Sequence, residues 1–370
     1  MLFVPGVLPG ERVRARVLPN RRGAGRAELI EVLDAAPGRV EPPCPHVERG
    51  CGGCGWQHIA LETQTELRRA IVADALARIA RIDEAPLAPS VVLPADGYRT
   101  TVRGSVDRGR LAFHRRRGNE LIAVDSCLVA HPLVNEIIRD GAFRGATEVE
   151  IRVGERTGER MVFVDPSAEQ VEVPDGVKVV GLDEVAAGRS VWIRERVIEE
   201  WFRISAPSFF QVRPDGADVL ATLVRDAARG VATGRAIDLY AGVGLFAKVL
   251  ARDGWRVKAV EGDRFAAADA AENLHEFGTS VTASEVAKWK PTHADFVVAD
   301  PSRSGLGKPG VAAVVGTDAP RVVLVHCDPG SMARDVALMA SEGYRLRQIT
   351  PVDMFVHTPH VETVTVLTRP

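Results

Sequence analysis

A chain of 370 residues with 46% hydrophobic content is long enough for two or three domains with sizeable cores. Its formal net charge of −2 does not exclude a polyanionic partner, because a basic patch can sit on a neutral protein, but no apolar run approaches a membrane span. The first residues, "MLFVPGVLPGERVR", lack a basic n-region and an adequate apolar stretch, so no signal peptide is expected and a cytoplasmic location follows, where structural disulfides are rare.

The chain opens with β patterning. "ERVRARV" alternates charged and apolar residues from Glu11 to Val17, a turn is expected at 20–25, and "RAELIEVL" follows. Two or three strands do not make a stable sheet alone, so these pack on the rest of the chain or belong to an incomplete barrel. "CPHVERGCGGC" (44–54) then holds three of the five cysteines. A metal site and unrelated cysteines both remain open; a thioredoxin-like redox pair is disfavoured, because Cys51 and Cys54 do not follow a strand of a βαβ unit. "LETQTELRRAIVADALARIARI" reads as an amphipathic helix. From Tyr98 to about Trp201, short strands separated by turns predict a mainly antiparallel β region, with a basic stretch from Arg108 to Arg117.

From about Phe209, helices and strands alternate, which predicts a parallel α/β sheet with a final antiparallel pair. "AIDLYAGVGLFAKVLA" (236–251) is an apolar strand, a glycine turn and a helix. Gly242 and Gly244 let the backbone approach a ligand, and Glu261, ending the next strand, suits ribose hydroxyls. A nicotinamide fingerprint wants a third glycine where Ala247 stands, so S-adenosylmethionine fits better and a nicotinamide oxidoreductase is disfavoured. Tyr240 adds a polar group at the strand end. "VVADPSRSGLGKPG" places Asp300 and Arg303 at the sheet's carboxyl edge, where such folds bind ligands.

Cys327 ends the strand "RVVLVHC" before a helix, whose N-terminus favours thiolate, although a lone cysteine at a strand end also suits a small core residue. "DMFVHTPHVETVTVL" brings Asp353, His357, His360 and Glu362 to the start of the last strand; alone, Glu362 reads as a solvated edge residue. Together, one cysteine, one carboxylate and an S-adenosylmethionine pocket are the minimum for methylating a pyrimidine at C5. A thiolate adds to C6, C5 attacks the methyl group, and a base removes the C5 proton.

Seven segments in order, "CPHVERGCGGCGWQ", "SFFQVRP", "DLYAGVG", "EGD", "DPSRSG", "HCDPGSMARD" and "DMFVHTPHVE", give the chain a resemblance along nearly its whole length. It resembles the RNA uridine-C5 methyltransferases, specifically the iron–sulfur, TRAM-domain branch acting on 23S rRNA. The resemblance implies an α/β Rossmann-like class I methyltransferase domain over 206–370. It implies a mainly β central domain over 39–205 and a partial TRAM-like barrel over 1–38, both meeting RNA. It implies Cys327 as nucleophile and Glu362 as base, with Gln211, Tyr240, Glu261 and Asp300 at cofactor-binding positions beside Gly242 and Gly244. It further implies Cys44, Cys51, Cys54 and Cys127 as ligands of a [4Fe–4S] cluster, with zinc the rival for four thiolates. A monomer acting on 23S rRNA is expected. The same chemistry on the T-loop uridine of tRNA and a non-catalytic RNA-binding or chaperone protein on this fold are the competing readings. The chain departs from the family pattern at Arg213, His326 and Ser302, and its opening residues match only a later part of the barrel.

Overall fold

A computed structural model of the chain describes residues 2–19, 25–116 and 118–370. The expected turn at 20–25, apart from Gly25, and Arg117 of the basic stretch lie outside the described residues.

The C-terminal part is organised by a seven-stranded sheet. In spatial order its strands are Ser280–Ala283, Arg256–Glu261, Arg235–Leu239, Phe296–Ala299, Arg321–His326, Glu362–Thr368 and Arg345–Val352. The first five run parallel, Glu362–Thr368 runs against them, and Arg345–Val352 runs against Glu362–Thr368. This is the class I methyltransferase fold. The central strands are continuous apolar runs because helices cover both faces. Along Phe296–Ala299 the side chains alternate between two cores: Phe296 and Val298 meet Leu220, Phe246 and Leu250, while Val297 and Ala299 meet Val311, Val314 and Met339. The helix Gly307–Val315 escaped the sequence reading, because "GKPGVAAVV" opens on loop-forming glycine and proline and shows no polar stripe.

The central unit is a six-stranded sheet, antiparallel except where Val177–Gly181 pairs parallel with Arg160–Asp165. Part of the basic stretch is structural there. Arg110 donates to the carbonyls of Ile138, Arg139 and Gly141, closing the C-terminus of the helix Pro132–Asp140. The hairpin Trp192–Val197 and Glu200–Ser205 buries Val197, Phe202 and Ile204 in the same core as Leu220 and Phe246.

At the N-terminus, Leu2–Phe3, Arg12–Val17 and Gly25–Asp34 form a three-stranded sheet, and among the described residues no closed barrel is found. The helix Leu61–Ala75 follows the cysteine segment and crosses onto the C-terminal unit, where Val72 and Leu76 pack on Met332, Val336, Ile349 and Val361. The expected helix runs on from Leu76 to Ala80 as a wider turn that ends at left-handed Arg81.

Candidate functional site

The carboxyl edge of the seven-stranded sheet gathers the predicted chemistry. The antiparallel register sets His326 opposite Thr363, so the next residues, Cys327 and Glu362, face each other where the two strands end. Asp300 follows the neighbouring strand, and its amide donates to the carbonyl of Leu239 at 3.3 Å, beside Tyr240. Gln211 reaches in from the segment after the hairpin, and its Nε2 donates to Asp300 Oδ2 at 3.2 Å.

The glycine turn is built as the sequence demands. Tyr240, Gly242 and Gly244 have φ of 59°, 54° and 92°, left-handed values that glycine adopts freely and tyrosine only under constraint. Open space lies where a Cβ at Gly242 would stand. Glu261 holds the turn in shape: one carboxylate oxygen accepts from Gly242 N at 2.7 Å and the other from Asp263 N at 2.7 Å. Asp238, wholly buried beneath the turn, accepts from Ala247 N at 2.8 Å and leaves Oδ1 without a partner.

Electrostatics set this edge apart. Burial raises the Asp238 carboxyl well above the usual carboxylate range. Burial also raises Asp300 to about 7, although its residue keeps some solvent contact. Glu362 is 3% exposed, and burial followed by the charge of Asp300 pushes its carboxyl well above the usual range. This corrects the solvated reading of Glu362: Thr363, Val364 and Thr365 bury the start of its strand against both neighbours. The Cys327 thiol is raised to about 11, first by burial, then by Glu362 and Asp300, with Arg303 opposing. Burial and the two carboxyl groups thus act against the thiolate that the helix N-terminus favours.

Two departures from the family pattern have structural consequences. His326 is 1% exposed, and its Nε2 lies 2.9 Å from Asp335 Oδ2. Asp335 also accepts from the amides of Leu306 at 2.6 Å and Gly307 at 3.0 Å, so one carboxylate ties the strand of Cys327 to the loop carrying Arg303. A Cβ at Gly305 would come within 2.4 Å of that carboxylate. The sequence reading missed Asp335; an acid amid the apolar positions of "SMARDVALMAS" was its available signal. Arg213 is fully buried, bonds both oxygens of Asp215 at 2.7 Å and stacks 4.2 Å from the Tyr98 ring. Ser302 bonds Ser304 in the exposed loop.

The other four cysteines lie elsewhere. Cys44, Cys51, Cys54 and Cys127 line one cavity of about 230 Å³, together with Tyr98, Phe355 and Thr358. Cys127 is brought there by Asn135, which accepts from its amide at 2.8 Å and donates to its carbonyl at 3.0 Å. Burial raises Cys54 to about 11, with the negative charge of Cys127 next. All five cysteines are free, and among the described residues no group of three or more His, Cys, Asp or Glu side chains is arranged to hold a metal ion. The cavity abuts the segment leading to Glu362. Trp56 N donates to His357 O at 2.8 Å, His357 N to Gln64 Oε1 at 2.8 Å, and Arg68 forms a buried pair with Asp353 at 2.8 Å. No helix of the described residues is long and apolar enough to cross a membrane.

Comparison with known proteins follows this geometry. No family model matches the chain. An uncharacterized RNA methyltransferase of Streptomyces avermitilis is 34% identical, covering 99% of this chain and 92% of the relative. One of Halalkalibacterium halodurans is 30% identical, covering 99% and 92%. Among solved structures, the Pyrococcus abyssi tRNA (uracil-54, C5)-methyltransferase in complex with S-adenosyl-L-homocysteine shares the fold, with a TM-score of 0.75 and 24% identity over 99% of this chain and 95% of that one.

Proposed function

This chain belongs to the RNA methyltransferase family, and from that premise we propose that it methylates C5 of a uridine in RNA, with 23S rRNA as the substrate. The observation that carries the reading is the juxtaposition of Cys327 and Glu362 at paired strand ends, beside Asp300 and the glycine turn. Cys327 adds through Sγ to C6 of the pyrimidine, and the electron pair of the C5–C6 double bond makes C5 nucleophilic. C5 takes the methyl group. Glu362 removes the C5 proton, the double bond re-forms, and Sγ leaves as thiolate. S-adenosylmethionine, when bound, supplies the electrophilic methyl group and a positive sulfonium charge.

The chain's own groups fit that cofactor. Gly242 leaves open space, Glu261 has lone pairs for ribose hydroxyls beyond its two amide bonds, and Gln211 orients Asp300. Burial disfavours the anionic forms of both Cys327 and Glu362. A positive charge brought beside them favours both anions, which ties activation of the nucleophile to a loaded site.

Two finer readings belong here. The second target, a tRNA uridine, is favoured by the fold shared with the Pyrococcus enzyme. Cys44, Cys51, Cys54 and Cys127 are proposed to hold a [4Fe–4S] cluster, with zinc as the alternative; their common cavity supports this, and anaerobic purification followed by iron and zinc analysis tests it. For the reaction, purified protein is incubated with methyl-labelled S-adenosylmethionine and either 23S rRNA or tRNA transcripts, and the digested nucleosides are separated. Label in 5-methyluridine from 23S rRNA supports the reading; label in another nucleoside overturns it, and label from tRNA alone selects the second target. Glu362→Gln should trap an RNA–protein adduct that survives denaturing electrophoresis, and rapid clean turnover by that variant would require another base.

A further inference from the structure

The hairpin Trp192–Val197 and Glu200–Ser205 has one face in the core and one in solvent. Its register pairs Trp192 with Ser205, Arg194 with Arg203 and Arg196 with Trp201. Among the side chains alternating with these, Ile193, Val197, Phe202 and Ile204 are at most 1% exposed and Glu195 is 2% exposed. The outward positions of the hairpin therefore carry two indoles and three guanidinium groups, and carboxylates reach this face only from neighbouring elements. Trp201 is 50% exposed. The Arg203 guanidinium lies 5.1 Å from the Trp192 ring centre and that of Arg194 lies 5.8 Å from Trp201. Trp192, Arg194, Trp201 and Arg203 line an open depression of about 440 Å³, with Lys248 and the carboxylates Glu272 and Glu276 along its other side. None of these residues takes part in the chemistry described above.

We propose that this face is a stacking surface for a single-stranded stretch of the RNA substrate next to the target nucleotide. Three observations carry the assignment. Aromatic rings and guanidinium groups in alternation offer π-faces to bases and donors to phosphates, the combination that holds single strands without reading sequence. The two indoles are separated by roughly 13 Å along the hairpin, from four residues of strand rise, and the Arg194–Arg203 pair lies midway, placing cations between two base platforms. The face also continues into the candidate site. The hairpin ends at Ser205, which with Ser208 is fixed on Asp269 at 2.7 Å, and the chain then passes Phe209, 65% exposed, to Gln211. A strand lying on Trp201 and Trp192 is thus led toward Asp300.

The charges around the face refine the expectation. Arg194 Nε is 2.7 Å from Glu159 and Arg203 Nε is 3.1 Å from Asp269. Phosphate contacts there displace existing ion pairs, so stacking contributes most of the affinity and the salt dependence is shallow.

The inference rests on the RNA-methylation reading, and the experiment separates the two. Binding of a labelled single-stranded oligouridylate is measured by anisotropy for the full chain and for Trp192→Ala, Trp201→Ala and Trp201→Phe, each checked for an unchanged Tm. Methyl transfer is followed in parallel. Each alanine variant should weaken binding by about 10- to 100-fold and raise KM with kcat unchanged, and Trp201→Phe should restore most of the affinity. Wild-type affinity in both alanine variants, with RNA still bound and methylated, overturns the surface and leaves the reaction standing. Equal binding of duplex and single strand overturns stacking, as does loss of a co-purifying protein with RNA affinity unchanged. If the wild type binds no RNA, the RNA reading falls and takes the surface with it.

Discussion

Two places in the chain hold a thiol raised to about 11, Cys54 in the four-cysteine cavity and Cys327 at the sheet edge, and burial is the first cause in both. The second cause differs. At Cys54 it is another cysteine, Cys127, whereas at Cys327 it is the carboxyl group of Glu362. Sulfur crowded by sulfur is relieved by a cation that all the sulfurs share. Sulfur crowded by carboxyl groups is relieved when those groups keep their protons, or when a transient positive charge arrives. Under the reading proposed above, the first environment would suit a shared cation and the second a thiol that gains and loses its proton.

The largest expected effect tests that division directly. Cys327→Ala should lower methyl transfer by about 10⁴-fold or more, roughly 5.5 kcal/mol of transition-state stabilisation. Any metal held by the other four cysteines should stay at its wild-type content. Metal analysis and labelled-methyl transfer on the same preparation check both halves, and metal lost together with activity would merge the two regions into one. Cys127→Ser is the converse: metal content should fall below half while alkylation of Cys327 by iodoacetamide keeps its wild-type rate.

A second comparison concerns what joins the two places. Arg68 and Asp353, each 1% exposed, form the buried pair that fastens the helix after the cysteine segment to the stretch leading to Glu362. Arg68→Met leaves Asp353 charged and unpaired in the interior, apart from a short hydrogen bond from Thr65. The expected loss is about 3–5 kcal/mol, read as a lower midpoint in urea. Asp353→Asn with Arg68→Met, which removes the stranded charge, should recover part of it.

The sheet edge was legible because its chemistry lies at strand ends, and strand ends follow from apolar runs bounded by Gly, Pro and Asp. The antiparallel pairing of the last strand brings Cys327 and Glu362 together. Asp335 and Arg68 were not legible. Each acts through a partner distant in sequence, respectively the amides at 306–307 and Asp353, and no local pattern announces such a contact. The outer face of the hairpin was not legible, because the register decides which of its sides is core. The four cysteines could be grouped by resemblance, but whether their sulfurs close around a metal depends on side-chain geometry that spacing does not fix.

The smallest expected effect carries the sharpest sign. Asp300 has an ordinary carboxyl value of 3.8, raised by burial to about 7 in the folded chain. Below pH 4 the group is protonated in both folded and unfolded chains and contributes nothing to the balance. Between about 4 and 7 the folded chain holds a proton that the unfolded chain has released, so stability falls as pH rises through this window. Above 7 the folded chain bears a confined anion and the whole penalty applies. The full linkage difference is roughly 4 kcal/mol, and the solvent contact that Asp300 retains reduces the expectation to roughly 2 kcal/mol. Asp300→Asn removes the charge yet keeps an oxygen to accept from Gln211 Nε2. It should raise Tm by a few degrees at pH 8, leave it unchanged at pH 3.5, and still depress methyl transfer. Thermal unfolding at the two pH values checks this, and a destabilised variant at pH 8 would show that the carboxylate is held by contacts stronger than its burial.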